Sequence, residues 1–234
     1  MNDKLDILIF GAHPDDAEIG MGGTIAKHTA AGYKVGMCDL TYAEMSSNGD
    51  VETRQREAAE ASDVLRLHTR INLGLPDRGL SLSAEHIEAV TRAIRLYRPS
   101  VVFAPYWQDR HPDHVMCSQI VQEAVFNAKL RKYQPDLPAW IVPKVYFYFI
   151  NDVYEANVIV DVTTEYEDKR NGLRAYRSQF EPAGSGNEYV ATPLNQSYLE
   201  RVEARDFLVG QKAGFTYAES FVSKNPIHID YFGK

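Results

Sequence analysis

The chain has 234 residues, 44% of them hydrophobic and 24% charged, an ordinary globular composition that excludes a disordered or membrane-spanning chain. Lys plus Arg is 25 against 32 Asp plus Glu, a net charge of −7 with no basic block, which argues against nucleic acid as a partner. Cys38 and Cys117 are its two cysteines, so neither a disulfide framework nor a Cys-rich zinc site is expected.

Leu5–Ala12 is an apolar run that reads as a buried strand. Ala17–Ala31 has helical spacing, with Ile19, Thr24, Ile25 and Thr29 on one face and Gly32 just past its end. Tyr33–Thr41 predicts a second strand, Tyr42–Asp50 a polar loop, and Glu52–Leu67 a charged helix. Arg70–Leu75 is a short strand closed by the turn Pro76–Gly79. Ser83–Tyr97 predicts a helix with Ser83 as N-cap, Val101–Tyr106 a fourth strand, and Asp113–Lys129 another helix. Further on, Lys144–Ile150 and Asn157–Thr163 read as strands, and Thr164–Gln179 and Gln196–Lys212 as helices. Between those helices, Glu181–Pro193 is polar and rich in Gly, Ser and Pro, a candidate lid.

Strand and helix thus alternate through the first ~130 residues. The expected fold class is α/β: a Rossmann-like, mostly parallel sheet with helices on both faces and a C-terminal α+β elaboration. No linker divides the chain, so residues 1–234 are expected to form one domain. No run approaches the ~20 apolar residues of a membrane span, and the N-terminus shows no export signal. A cytoplasmic protein without a membrane partner is expected. A nicotinamide or flavin cofactor is not: the first turn reads Gly11-Ala12-His13-Pro14-Asp15-Asp16, and the glycines at 20, 22 and 23 come too late for a dinucleotide fingerprint.

Two segments carry the chemistry. The first strand ends in His13-Pro14-Asp15-Asp16, and the fourth is followed by His111-Pro112-Asp113-His114. Ligands of open α/β sheets bind outside the carboxyl ends of strands, so both segments should converge there. Proline favours the first helical position, which puts each His near an N-cap and each fourth residue in the first turn. His13, Asp16 and His114 then form a three-donor metal set with one position open for water, suited to catalytic zinc, with iron or cobalt also accommodated. Asp15 projects differently and can accept the proton of the activated water. A protonated His111 on the opposite side can stabilise an oxyanion and protonate a leaving amine. Asp113 can hold that imidazole in its tautomer and keep it charged. The set describes metal-assisted hydrolysis of an amide. His28, His68, His86 and His228 are isolated and read as ordinary surface or core residues.

The segment Phe10–Asp16, followed by Glu18 and Gly22-Gly23-Thr24, resembles the opening of the LmbE/PIG-L superfamily of zinc-dependent N-deacetylases. Arg110–His114 resembles its second motif, and Arg54-x-x-Glu57 and Leu75–Gly79 fall at intermediate positions. More narrowly, Asp39–Thr41, Ser46–Gly49, Pro76–Leu80 and Asp109–His114 resemble the bacillithiol-biosynthesis branch. The resemblance implies removal of acetyl from N-acetylglucosaminyl L-malate, with zinc on His13, Asp16 and His114, Asp15 as base and His111 on the oxyanion side. It also implies a homo-oligomer, and sugar hydroxyls held by Arg54 and Asp77. Arg78 and Arg110 are candidates for the malate carboxylates, because guanidinium binds carboxylate bidentately. Tyr198 is a candidate donor to the carbonyl oxygen. The rival substrates are a thiol-conjugate amide, chitin fragments or an antibiotic precursor. A non-enzymatic metal module is disfavoured, since base and ligands are both present.

Overall fold

The computed structural model describes residues 4–181 and 189–227. Seven strands form one sheet in the order β3-β2-β1-β4-β5-β7-β6. The parallel part comprises β1 (Ile7–Gly11), β2 (Val35–Thr41), β3 (Thr69–Leu75), β4 (Val101–Pro105) and β5 (Lys144–Tyr148). Two antiparallel strands, β6 (Val158–Asp161) and β7 (Ala218–Val222), extend it beyond β5. This is the expected α/β architecture with its C-terminal elaboration.

Parallel strands covered on both faces read as continuous apolar runs, and β1 is buried at every position. Its alternation divides the core in two. Ile7 and Ile9 join the cluster under α1 (Asp16–Ala30) and α2 (Val51–Val64), together with Ile25, Ala58 and Ala61. Leu8 and Phe10 face α3 (Ala84–Tyr97) and α4 (Pro112–Ala128), among Ile94, Ile120 and both buried cysteines. The first helix face departs from simple spacing. Met21 has non-helical angles (φ −152°, ψ 25°), so α1 breaks there and its second half restarts. The freed N–H groups of Gly23 and Thr24 donate to the buried Glu219 carboxylate at 3.0 and 2.6 Å. Glycine is needed at the break because α1 lies against the sheet: a Cβ on Gly20 would sit 2.2 Å from Tyr148 Cδ2 and 2.8 Å from the Phe149 carbonyl.

Two differences from the sequence reading share a cause. The helix expected over Thr164–Gln179 is two, α5 (Tyr166–Arg174) and α6 (Arg177–Phe180). The break falls at Tyr176, whose fully buried hydroxyl donates to Glu18 at 2.7 Å. Strand β7 escapes sequence reading because Glu219 and Ser220 interrupt its apolar pattern, yet all five residues are buried. Glu219 is there to receive the α1 amides and the buried Lys169 ammonium. In each case a tertiary polar contact overrides the local pattern. The helix after the expected lid is α7 (Tyr198–Ala213). Residues 182–188 of that lid, and His228, lie outside the described residues. Among the described residues no helix is long and apolar enough to cross a membrane.

Replacing Gly20 with Ala should destabilise the fold by ~1–3 kcal/mol, because the methyl meets a ring and a backbone carbonyl that cannot both yield. A urea unfolding midpoint equal to that of the unaltered protein would disprove this tight contact.

Candidate active site

Strands β1 and β4 are neighbours, but the chain leaves β1 for β2 on one side and reaches β4 only through β3 and α3. The switch point therefore lies between them, where open α/β sheets bind their ligands. His13–Asp16 leaves β1 and opens α1, while His111–His114 leaves β4 and opens α4. The two turns are not equivalent. His111 is the N-cap of α4 with Pro112 at the first helical position, as expected. In α1 the N-cap is Asp15, so His13 stands two residues outside the helix. Asp15 is at φ 116°, where a non-glycine residue costs ~1–3 kcal/mol, a strain typical of functional turns. The His13 N–H donates to Asp16 Oδ2 at 3.0 Å and closes the turn.

A cavity of about 280 Å³ opens over these residues. On its floor, Asp16 Oδ1 lies 3.0 Å from His114 Nε2, and Asp16 Oδ2 lies 3.7 Å from His13 Nδ1. Donors sharing a tetrahedral ion at ~2.0–2.1 Å would stand about 3.3 Å apart, so each pair is near that distance, through a different Asp16 oxygen in each. Ring nitrogens of His13, His111 and His114 also lie within 4.8 Å of one another, and His13, Asp77 and Asp113 make a second possible group. The outer nitrogens of both expected ligands are held by carboxylates. His13 Nε2 is 3.2 Å from Asp77 Oδ1 and 3.6 Å from Asp113 Oδ2, and His114 Nδ1 is 3.0 Å from Asp109 Oδ1. Such partners fix tautomer and ring orientation at metal sites.

Charge follows from this crowding. Burial raises the Asp16 carboxyl, but the two imidazoles outweigh it and hold the group well below the usual carboxylate range. Burial lowers His114, yet Asp16 and Asp109 carry it up to about 9. Asp15 is 4% exposed, and burial pushes it up to about 7 against the opposing charge of Arg54. Arg54 Nη2 donates to Asp15 Oδ2 at 2.7 Å, and its Nε donates to the Pro14 carbonyl.

Residues 8–125, just over half of the chain, match the PIG-L family, described as GlcNAc-PI de-N-acetylase, and hold both motifs. The chain belongs to the PIG-L family. It is similar to the diacetylchitobiose deacetylase of Thermococcus kodakarensis, with 32% identity over 97% of this chain and 87% of that protein. It is also similar to the probable N-acetyl-alpha-D-glucosaminyl L-malate deacetylase 2 of Bacillus subtilis, with 30% identity over 76% of this chain and 85% of that one. Among solved structures, the conserved protein TT1542 from Thermus thermophilus superposes with a TM-score of 0.89 at 37% identity, covering 98% of this chain and 99% of that one.

Within this PIG-L site, the contacts of several expected residues differ from the sequence reading. The Asp113 carboxylate does not reach the His111 ring. It accepts from the Arg78 backbone N–H and guanidinium at 2.8 and 2.9 Å and faces His13. The Asp113 backbone N–H donates to His111 Nδ1 at 3.2 Å. That bond needs a lone pair on Nδ1, so His111 is neutral, with its other nitrogen protonated. Burial, then the neighbouring His114 and His13, hold it down at about 4. In the metal-free protein Asp113 therefore does not hold His111 as an imidazolium. Arg54 is buried on Asp15 rather than solvated, and its Nη1 has no partner. Asp77 is occupied by His13 and by the Met45 N–H, which together hold it down at about 2 against burial. Arg78 is half-exposed at the rim, Arg110 is exposed there, and both line the cavity. Tyr198 lines it too, but its hydroxyl donates to Asn151 Oδ1 at 3.1 Å.

Sequence reading missed the support beneath these groups. Arg70 binds Asp39 through Nε and Nη2 and Glu18 through Nη1, all between 2.7 and 3.0 Å. Its signal was faint: Glu18 follows the first motif on the helix, but Arg70 opens a strand far away in sequence. Asn151 was missed for the same reason, and Asp109 was placed in a motif without its bonds to His114 and Asn151.

The raised His114 gives a stability prediction for metal-free protein. Its folded value of about 9 exceeds the ordinary 6.5, so its contribution is complete below about pH 6.5 and is lost as pH rises through 9. The melting temperature should fall across that window, and His114→Asn should remove part of the fall. Parallel profiles for the two proteins would disprove the ion pair.

Proposed function

We propose that this chain is a metal-dependent N-deacetylase of small N-acetylglucosamine conjugates, with N-acetylglucosaminyl L-malate as its substrate. The observation that carries the reading is one constellation: the strained, buried Asp15 carboxylate beside His13, Asp16 and His114 on the floor of one cavity. Zinc on His13, Asp16 and His114 would polarise the acetamide carbonyl and acidify water, and Fe²⁺ or Co²⁺ suits the same donors. These three are favoured over the other groupings because Asp77 and Asp113 already accept several donors and His111 Nδ1 is taken by a backbone amide.

Asp15 serves as the base. Burial brings its pKa near neutrality, where a carboxylate can take a proton from water and return it to the leaving amine. Arg54 aligns it through the Nη2 bond to its carboxylate. Neutral His111 donates from its protonated nitrogen to the carbonyl oxygen as negative charge develops there. Tyr198 can add a second donor by releasing Asn151, and burial keeps its phenol protonated.

The cavity, about 280 Å³, lies at the small end of ligand pockets, which run from ~300 Å³ upward, and suits one sugar with a short appendage. Two rim guanidiniums, Arg78 and Arg110, favour an anionic appendage such as malate. The similarity to a diacetylchitobiose deacetylase supports a second reading, a neutral disaccharide. A small-molecule substrate, a cytoplasmic setting and a homo-oligomer complete the proposal.

Asp15→Asn should keep one metal per chain and lose ~10²–10⁴-fold in kcat; an unchanged kcat would remove Asp15 as base. Free-amine release should be chelator-sensitive and fastest on the malate conjugate, against N-acetylglucosamine and diacetylchitobiose. Arg110→Ala should raise KM for the conjugate while leaving that for N-acetylglucosamine unchanged. Equal rates on all three substrates would reject malate recognition.

A further inference from the structure

The loop after β4 contributes a residue to which the Asp109–His114 resemblance assigns no role. Asp109 is nearly buried, with a side chain 5% exposed, and its Oδ1 gathers three donors. These are the His111 backbone N–H at 2.8 Å, the Asn151 side-chain amide at 2.8 Å and His114 Nδ1 at 3.0 Å. Its Oδ2 accepts the Asn151 backbone N–H at 3.3 Å. An ionised carboxylate only accepts, so the orientation of the chain follows. Nδ1 of His114 donates to Asp109, which leaves Nε2, 3.0 Å from Asp16, as the nitrogen that would give up its proton to a metal. The Asn151 amide nitrogen faces Asp109, and its oxygen is left to accept from Tyr198. Asn151 is 6% exposed and Tyr198 3%, so water does not compete for these bonds.

We infer that Asp109 is a positioning residue that sets the tautomer and angle of His114, and that Asn151 couples it to Tyr198 on the cavity wall. The inference rests on the metal site proposed above. Tyr198–Asn151–Asp109–His114 is a continuous buried path from a substrate-facing phenol to a metal donor. When Tyr198 turns toward a substrate, Asn151 loses a donor on its oxygen while its nitrogen stays on Asp109. Asp109 also holds the backbone N–H of His111, so one carboxylate fixes the turn that presents both imidazoles.

The test is zinc affinity of the full-length protein, measured by chelator competition, with the Co²⁺ absorption spectrum as a reporter of donor geometry. Asp109→Asn keeps the shape but replaces an accepting oxygen by a donating amide. It should weaken zinc binding ~10–100-fold and alter the Co²⁺ bands. Asn151→Ser should weaken zinc less, shift the same bands, and abolish any additional effect of Tyr198→Phe on them. Unaltered affinity and spectrum in Asp109→Asn would overturn the positioning role. Additive spectral effects of the Asn151 and Tyr198 changes would overturn the coupling. An unaltered protein that took up no zinc would instead overturn the metal site itself, and this inference with it. If Asp109→Asn does not fold, Asn151→Ser carries the same comparison.

Discussion

The parallel pairing of β1 with β4 is the constraint on which the site depends. Ile7–Ile9 lie in register with Val101–Phe103, so the two strands end at the same level on one sheet edge. Each then turns into a helix through a His-Pro-Asp segment. Imidazole and carboxylate donors from segments far apart in the chain thereby meet within one hydrogen-bond length or little more. No local interaction brings them together; the sheet does.

That convergence concentrates negative charge. Asp15, Asp16, Asp77, Asp109 and Asp113 are all nearly buried, and among their bonded partners the permanent cations are Arg54 and Arg78. Burying unpaired carboxylates is costly, and in metal-free protein the balance is made by protonating His13 and His114 and by raising Asp15. A divalent cation on the same donors would take over that balancing role and free the imidazoles of their extra protons. A second layer of buried charge lies below: Arg70 binds Glu18 and Asp39, and Lys169 binds Asp206 and Glu219. Both clusters of this layer hold α1, one through Glu18 and the other through Glu219 on the amides after its break. The first turn of α1, which carries Asp15 and Asp16, is thus fixed from beneath by ion pairs rather than by apolar packing alone.

Much of this was legible in the chain itself. The alternation of apolar strands with helical spacing determined the doubly wound parallel sheet, because covered parallel strands must be continuously apolar. Two His-Pro-Asp segments, each after a strand, determined which end of the sheet would carry chemistry and which residue types would meet there. Free, buried Cys38 and Cys117 follow from the same apolar pattern.

The tertiary structure decided what each group bonds to. Asp113 turns to Arg78 rather than to His111, and Asp77 is spent on His13, because a carboxylate goes to whichever donors surround it. Strand β7 and the break at Tyr176 were hidden because their polar residues answer to partners on distant elements. The same holds for Asp109 and Asn151, which are far apart in sequence and adjacent in space. Periodicity records which face of an element is covered, since burial is a property of one residue at a time. Hydrogen bonds and ion pairs belong to two residues at once, and only the packed fold fixes which two.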